Sequence, residues 1–168
     1  MNAGLRPRTG KDAGLRPRIE AFLQAHHVMS LATSGPEGPW SAAVFYASDG
    51  VTLYFLSAPS SRHSRDIEAS GRAAATIHSD IADWREIRGL QLEGAASRIA
   101  ESERAAALAR YGAKFPLIAD PSSAPPEITA AMARVEWYRL SPQRVRLVDN
   151  TLGFGHREEL DLSSTPGV

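Results

Sequence analysis

Six consecutive residues, Ser60-Ser61-Arg62-His63-Ser64-Arg65, combine three hydroxyls, two guanidinium groups and an imidazole. They follow the apolar run Val51–Ser57 and lead into Asp66 and Ile67, where a helical pattern continues. The first turn of a helix presents N–H groups without intrahelical partners and carries a partial positive charge, which suits a phosphate monoester. Hydroxyl donors and an arginine fork would add charge-assisted hydrogen bonds to the same oxygens. The bland alternative is that Ser60 or Ser61 caps the helix while Arg62 and Arg65 are solvated. Two further positions invite a ligand. Trp84, beside Arg85, could cover a planar ring or pack in its own loop. Gln91 sits within a strand, where a polar side chain needs a partner from a ligand edge or a neighbouring strand.

Other chemistries find no support in the residues. The chain has neither GxxxxGK[ST] nor a GxGxxG after a strand, so neither standard phosphate loop is present. A GxSxG nucleophile elbow is also missing. There are no cysteines, which removes disulfides, thiolate metal sites and cysteine nucleophiles. The five histidines, His26, His27, His63, His78 and His156, form no helical ligand pair with a carboxylate, and no metal site is expected. No residue stands out as a catalytic acid or base.

The chain has 168 residues, 43% hydrophobic and 23% charged, with equal numbers of basic and acidic side chains. That composition belongs to a globular protein of about one domain. No apolar run reaches the roughly 20 residues of a membrane helix, and no secretory signal is evident, so the expected location is cytoplasmic. The charge balance is uneven along the chain. The first eighteen residues hold Arg6, Arg8, Lys11, Arg16 and Arg18 against Asp12, which leaves fourteen basic and eighteen acidic residues in the remainder. A mildly acidic body is a poor surface for nucleic acid, whose affinity comes mainly from phosphate neutralisation. The hexapeptide AGLRPR occurs at residues 3–8 and again at 13–18. With its prolines and glycines, residues 1–18 read as a flexible basic leader outside the core, and residues 19–168 as the folded domain.

Order is expected from Ile19, where Ile19, Phe22 and Leu23 share a helical face. Val28–Thr33, Trp40–Ala47 and Val51–Ser57 then read as strands joined by short turns, hence as an antiparallel meander. Ser60–Ser70 continues as a helix, and Ala73–His78 and Leu90–Ile99 as further strands. Glu101–Tyr111 is a helix with Ala105, Leu108 and Ala109 on one face; Asp120–Pro126 is a loop and Glu127–Arg134 a shorter helix. Trp137–Leu140 and Arg144–Val148 close the pattern as two strands around Ser141-Pro142. Strands at regular spacing with a few peripheral helices indicate a mostly β fold, a small antiparallel barrel.

The ordered motifs Ser41-Ala42-Ala43-Val44-Phe45-Tyr46, Asp49-Gly50, Leu53-Tyr54-Phe55-Leu56-Ser57 and Ser61-Arg62-His63 resemble the flavin-binding half of the pyridoxamine-phosphate-oxidase-like FMN split-barrel family. Ile87-Arg88-Gly89-Leu90-Gln91 with Gly94, Phe115-Pro116, and the closing Asn150-Thr151-Leu152-Gly153-Phe154-Gly155 resemble one small branch of it. The resemblance spans about Ile19 to Leu162 and implies an antiparallel split β-barrel. It implies that Ala43, Val44, Phe45 and Tyr46 line an isoalloxazine ring, that Leu56 and Ser57 touch the flavin, and that Ser57, Ser61, Arg62 and His63 hold its phosphate. It further implies a homodimer with the flavin at the interface, and FMN as the cofactor.

Two departures separate this chain from the oxidase proper. His63 replaces the lysine of the phosphate step, and Ser41 and Tyr46 stand where the oxidase has an arginine and a lysine. Its substrate-binding and C-terminal arginine motifs are not recognisable either, so vitamin B6 oxidation does not carry over. What does carry over is an FMN-dependent oxidoreductase of unnamed substrate, with NADH or NADPH as reductant. The competing readings are a storage or binding protein for FMN, haem or deazaflavin, and a cofactor-free interaction protein, because fold alone does not decide function.

Overall fold

A computed structural model describes residues 10–119 and 125–163. The first helix, α1, spans Gly10–Ala25. Leu15, Ile19 and Leu23 follow each other at four-residue spacing, and all three are buried in the principal core. The helix therefore starts before Ile19 and absorbs the second AGLRPR copy, which the sequence reading assigned to a flexible leader. Pro17 lies inside it, where it removes one helical hydrogen bond. Burial of Leu15, only 4% exposed, opposes that cost with about 1.5–3 kcal/mol of hydrophobic stabilisation. The first AGLRPR copy lies outside the described residues.

Seven strands follow: β1 (Val28–Gly35), β2 (Gly38–Asp49), β3 (Thr52–Ser57), β4 (Arg72–His78), β5 (Arg88–Arg98), β6 (Glu136–Asp149) and β7 (Arg157–Asp161). Between them lie α2 (Arg62–Ser70), α3 (Glu101–Lys114), α4 (Pro116–Ala119) and α5 (Pro126–Met132). All pairings are antiparallel, in the order β3-β2-β1-β4-β5-β6-β7. A further pairing of β3 with β6, from Leu53↔Leu140 to Ser57↔Glu136, closes the first six into a barrel, with β7 added along β6. The interior is filled by alternate residues, among them Met29, Leu31, Tyr46, Leu53, Phe55, Ile77, Leu90 and Tyr138.

The last long strand corrects the expectation of two short strands around Ser141-Pro142. β6 runs unbroken, but its inward positions change from Tyr138 and Leu140 to Val145 and Leu147. The change of parity is made by a bulge: the register with β5 shifts between Glu93 and Gly94, so that Gln143 has no partner. The strands approach so closely there that a Cβ on Gly94 would lie 2.1 Å from the Ser141 carbonyl oxygen. Pro142 is tolerated because a bulge does not need its missing N–H.

Helix α3 packs outside the barrel through Ala107 and Tyr111, which join Ala47, Ile99 and Trp137 in a second core. The expected face, Ala105, Leu108 and Ala109, points outward instead. Aromatic area decides the orientation: Tyr111 meets Trp137 edge-on at 5.3 Å and Phe115 at 4.6 Å, contacts that alanines cannot match.

Candidate functional site

The barrel is split along β2. This strand pairs with β1 over Gly38–Phe45, but with β3 only over Tyr46–Asp49. Its first half therefore has one edge without a strand neighbour. The Tyr46 N–H donates to the His27 carbonyl. Because main-chain groups alternate sides along an antiparallel strand, those of Ser41, Ala43 and Phe45 point away from β1, to the open edge. The side chains of these three residues are exposed on the outer surface, Phe45 at 58%.

Parity corrects half of the expected ring-lining run. Ala43 and Phe45 face outward at the open edge, but Val44 packs against the core and Tyr46 is fully buried inside the barrel. The Tyr46 hydroxyl donates to the Leu23 carbonyl at 2.9 Å, and Lys114 Nζ lies 4.2 Å from the ring centre. Burial holds its phenol well above the ordinary tyrosine range. Leu56 is likewise turned away, partly buried against the α3 core.

Helix α2 stands beside the open edge. Ser61 is its N-cap, accepting from the Ser64 N–H, and Gly71 ends it in the left-handed conformation at φ 68°. No acidic residue occupies its first turn, so the positive end of the helix is not neutralised from within. Ser57, at the end of β3, is buried beneath this turn. Its Oγ lies 2.6 Å from His63 Nε2 and 3.0 Å from both Ser61 Oγ and Ser64 Oγ. Behind the serines, the buried Asp66 accepts from Thr33 at 2.8 Å. It packs so tightly against β1 that a Cβ on Gly35 would meet its carboxylate at 2.0 Å. Burial pushes His63 below the ordinary histidine value, and the Asp66 charge opposes this.

Arg62 binds the same region together differently from the expectation. Its guanidinium donates to the Glu37 and Gly38 carbonyls at 2.7 and 3.2 Å and lies 4.8 Å from the centre of the Trp40 ring. It thus fastens α2 to the start of β2, while its buried Nε has no hydrogen-bond partner. Arg65 turns away, to the Ser60 carbonyl and Glu37.

Gln91 is exposed on the outer face of β5. It lines a shallow groove of about 500 Å³ with Ser30, Ser41, Thr76, Arg144 and Arg146. Ser41 is shared by this groove and the open edge of β2. Trp84 lies elsewhere, in the loop before β5, with its ring edge-on to Phe154 at 5.4 Å. Asn150 joins the two loops, donating to the Trp84 carbonyl and accepting from the Gly155 N–H. The closing Asn150–Gly155 segment thus braces the Trp84 loop.

The structure therefore gathers Ser57, Ser61 and His63 at the start of α2, with Arg62 tied to the start of β2. Ala43 and Phe45 lie further along the open edge of β2, Phe45 edge-on to Phe115 at 5.4 Å, and Val44, Tyr46, Leu56, Trp84 and Gln91 lie outside both. Trp40, beneath the Arg62 guanidinium, and the Thr33–Asp66 pair also belong to this region, beyond the expected residues. Trp40 carried a signal, a large aromatic just after a turn; Thr33 and Asp66 meet only through tertiary packing.

A six-stranded antiparallel barrel, opened along one strand and flanked by helices, defines the split-barrel class. Residues 15–149 match the pyridoxamine 5'-phosphate oxidase family, and the chain belongs to that family. Among its relatives is a UPF0306 protein from Klebsiella pneumoniae, 30% identical over 141 residues, which cover 83% of this chain and 88% of the relative. Solved structures share the fold. A putative pyridoxamine 5'-phosphate oxidase from Listeria innocua superposes with a TM-score of 0.61 at 17% identity, covering 79% of this chain and 97% of that one. HutZ, described as a haem storage protein from Vibrio cholerae, gives 0.61 at 21% identity, covering 76% and 89%. No helix among the described residues is long and apolar enough to cross a membrane.

Proposed function

We propose that this protein binds FMN along the split of the barrel and works as an FMN-dependent oxidoreductase. The observation that carries the reading is a pair of unfilled hydrogen-bonding elements tied together by Arg62: the open edge of β2 at Ser41, Ala43 and Phe45, and the uncompensated N-terminus of α2. An unpaired strand edge offers alternating donors and acceptors to the polar rim of a planar heterocycle. A helix start rich in hydroxyls offers donors to a phosphate. The partnerless Arg62 Nε is a further donor in the same region. FMN has both parts in one molecule. Bound flavin supplies the two-electron chemistry, and the protein positions it and shields it from water.

Haem fits these residues less well. His26, His63 and His156 already bind Phe22 and Ser79, Ser57, and Glu158 respectively, and none of the five histidines lines the outer groove.

A single barrel covers a planar ring on one face only, whereas small-molecule sites commonly bury most of their ligand. We therefore include a homodimer in the proposal, with the second copy forming the other wall and two equivalent sites arising by two-fold symmetry. Small residues on the outer face, among them Ser30, Ala32, Ala43 and Ala74, permit that close approach. The test is the visible spectrum of the purified protein. A flavin spectrum with acid-releasable FMN, reduction by NADH or NADPH, and a mass near twice 18.1 kDa by light scattering are expected. A colourless monomer that takes up no FMN would refute the reading, and a Soret band would replace it with haem.

A further inference from the structure

We propose that His63 makes phosphate binding at this site proton-dependent, because protonating its ring turns the surrounding serines from an inward-donating array into one that donates to an anion. The inference rests on the reading of the split as a site for a phosphate-bearing ligand and adds its regulation.

The hydrogen inventory supports it. Ser61 Oγ donates to Ser64 Oγ at 2.9 Å, and Ser64 Oγ donates to Ser57 Oγ at 3.0 Å. The single Ser57 hydroxyl proton is then directed at His63 Nε2, 2.6 Å away, rather than at the Ala58 carbonyl at 3.5 Å. That arrangement needs a lone pair on Nε2, hence a neutral ring with its proton on Nδ1. In this state every hydroxyl proton runs inward to the imidazole. Ser61, nearest the helix start, also accepts from the Ser64 N–H and has no proton to offer outward.

One added proton reverses the direction. Nε2–H then donates to Ser57, and the Ser57 proton turns to Ser61 Oγ, 3.0 Å away. The Ser61 proton is released from Ser64 and becomes available to a ligand at the N-terminus of α2. The site gains a positive charge and a hydroxyl donor together. A dianionic phosphate would stabilise this state, and its binding would therefore take up a proton.

The titratable groups around the ring and its serines are already engaged. Beside Ser64, the Tyr138 hydroxyl of β6 donates to Glu68 of α2 at 3.4 Å. Asp66, on the same helix, is held by Thr33 of β1. Arg62 and Arg65 bind the β1–β2 turn, where Glu37 pairs with Arg65. On β6, Glu136 lies opposite Ser57 and is bound by Arg98 and Arg104. Burial pushes the imidazole below its ordinary value and the Asp66 charge opposes this, so the imidazole is the group whose charge a bound anion can change near neutral pH. A lysine at this position would stay charged and would not couple to protons.

The test uses the full chain between pH 6.5 and 8.5, where a phosphate monoester is mostly dianionic, with FMN, riboflavin and inorganic phosphate as probes. The FMN dissociation constant should rise with pH by up to about tenfold per unit, the limit for one linked proton, while that of riboflavin stays flat. His63→Gln should hold FMN at the weak, high-pH affinity, and His63→Lys should restore tight binding without the slope. In parallel, NMR titration of the His63 ring should show its pKa rising when inorganic phosphate is added. This arm needs no variant to fold. Tight FMN binding with no pH slope overturns the proposal and leaves the flavin reading intact. A phosphate-induced rise at His63 without flavin binding supports the proposal and overturns the flavin reading. No binding of flavin or phosphate and no movement of His63 overturns both.

Discussion

Tyr46→Phe separates the interior position of this residue from a place against the flavin. Tyr46 has no solvent exposure, and its hydroxyl makes one hydrogen bond, to the Leu23 carbonyl at 2.9 Å. Removing the oxygen loses a buried hydrogen bond, for which about 0.5–1.5 kcal/mol is the usual net cost. The Leu23 carbonyl would not be orphaned, because Lys114 Nζ also donates to it at 3.0 Å. The phenyl ring keeps the cation–π contact with Lys114. The cost should therefore sit near the middle of the range, about 1 kcal/mol, or about 2–4 °C in melting temperature for a chain of this size. Urea unfolding should show a lower midpoint with an unchanged slope, and FMN affinity and the flavin spectrum should match the wild type. Unchanged stability together with a shifted flavin spectrum or weakened FMN binding would refute the argument, since it would put the hydroxyl at the cofactor.

Three further outcomes are expected. Leu15→Ala should cost about 2–4 kcal/mol, as for other buried leucines; a wild-type melting temperature would mean that α1 is not docked through Leu15. Gly94→Ala should destabilise by about 2–3 kcal/mol or more, because its Cβ would meet main-chain atoms of Ser141 and Pro142 rather than a movable side chain; a wild-type unfolding midpoint would contradict the tight bulge. Burial pushes Lys114 down to about 8, whereas the unfolded chain keeps that proton to about pH 10.4. Between these values the unfolded state binds more protons, so the stability of the wild type should rise with pH relative to Lys114→Met. Parallel pH–stability curves for the two proteins would count against that burial.

The sequence by itself determined what depends on near neighbours. Ser61 at a helix start is a local signal, and the helix expected over Ser60–Ser70 lies within two residues of α2. The short turns at Pro36-Glu37 and Gly50-Val51 likewise specify antiparallel hairpins, whose strands were legible with approximate boundaries. The order of motifs from Ser41 to His63 also pointed to the split-barrel family, and it brought four phosphate-site candidates to one place in the structure. The tertiary structure alone decided which face each strand turns inward. Ala42 to Tyr46 are all apolar or aromatic, so alternation carries no mark of inside and outside; closure of the barrel sends Val44 and Tyr46 in and Ala43 and Phe45 out. The parity change in β6 was hidden for a related reason, since it is imposed by the close approach of Gly94 to Ser141, a contact across strands. Leu15 looked like part of a proline-rich leader because the groups that bury it come from the barrel. Local spacing can nominate a residue for a site, but whether the site receives it depends on which partner strand or helix covers the other side.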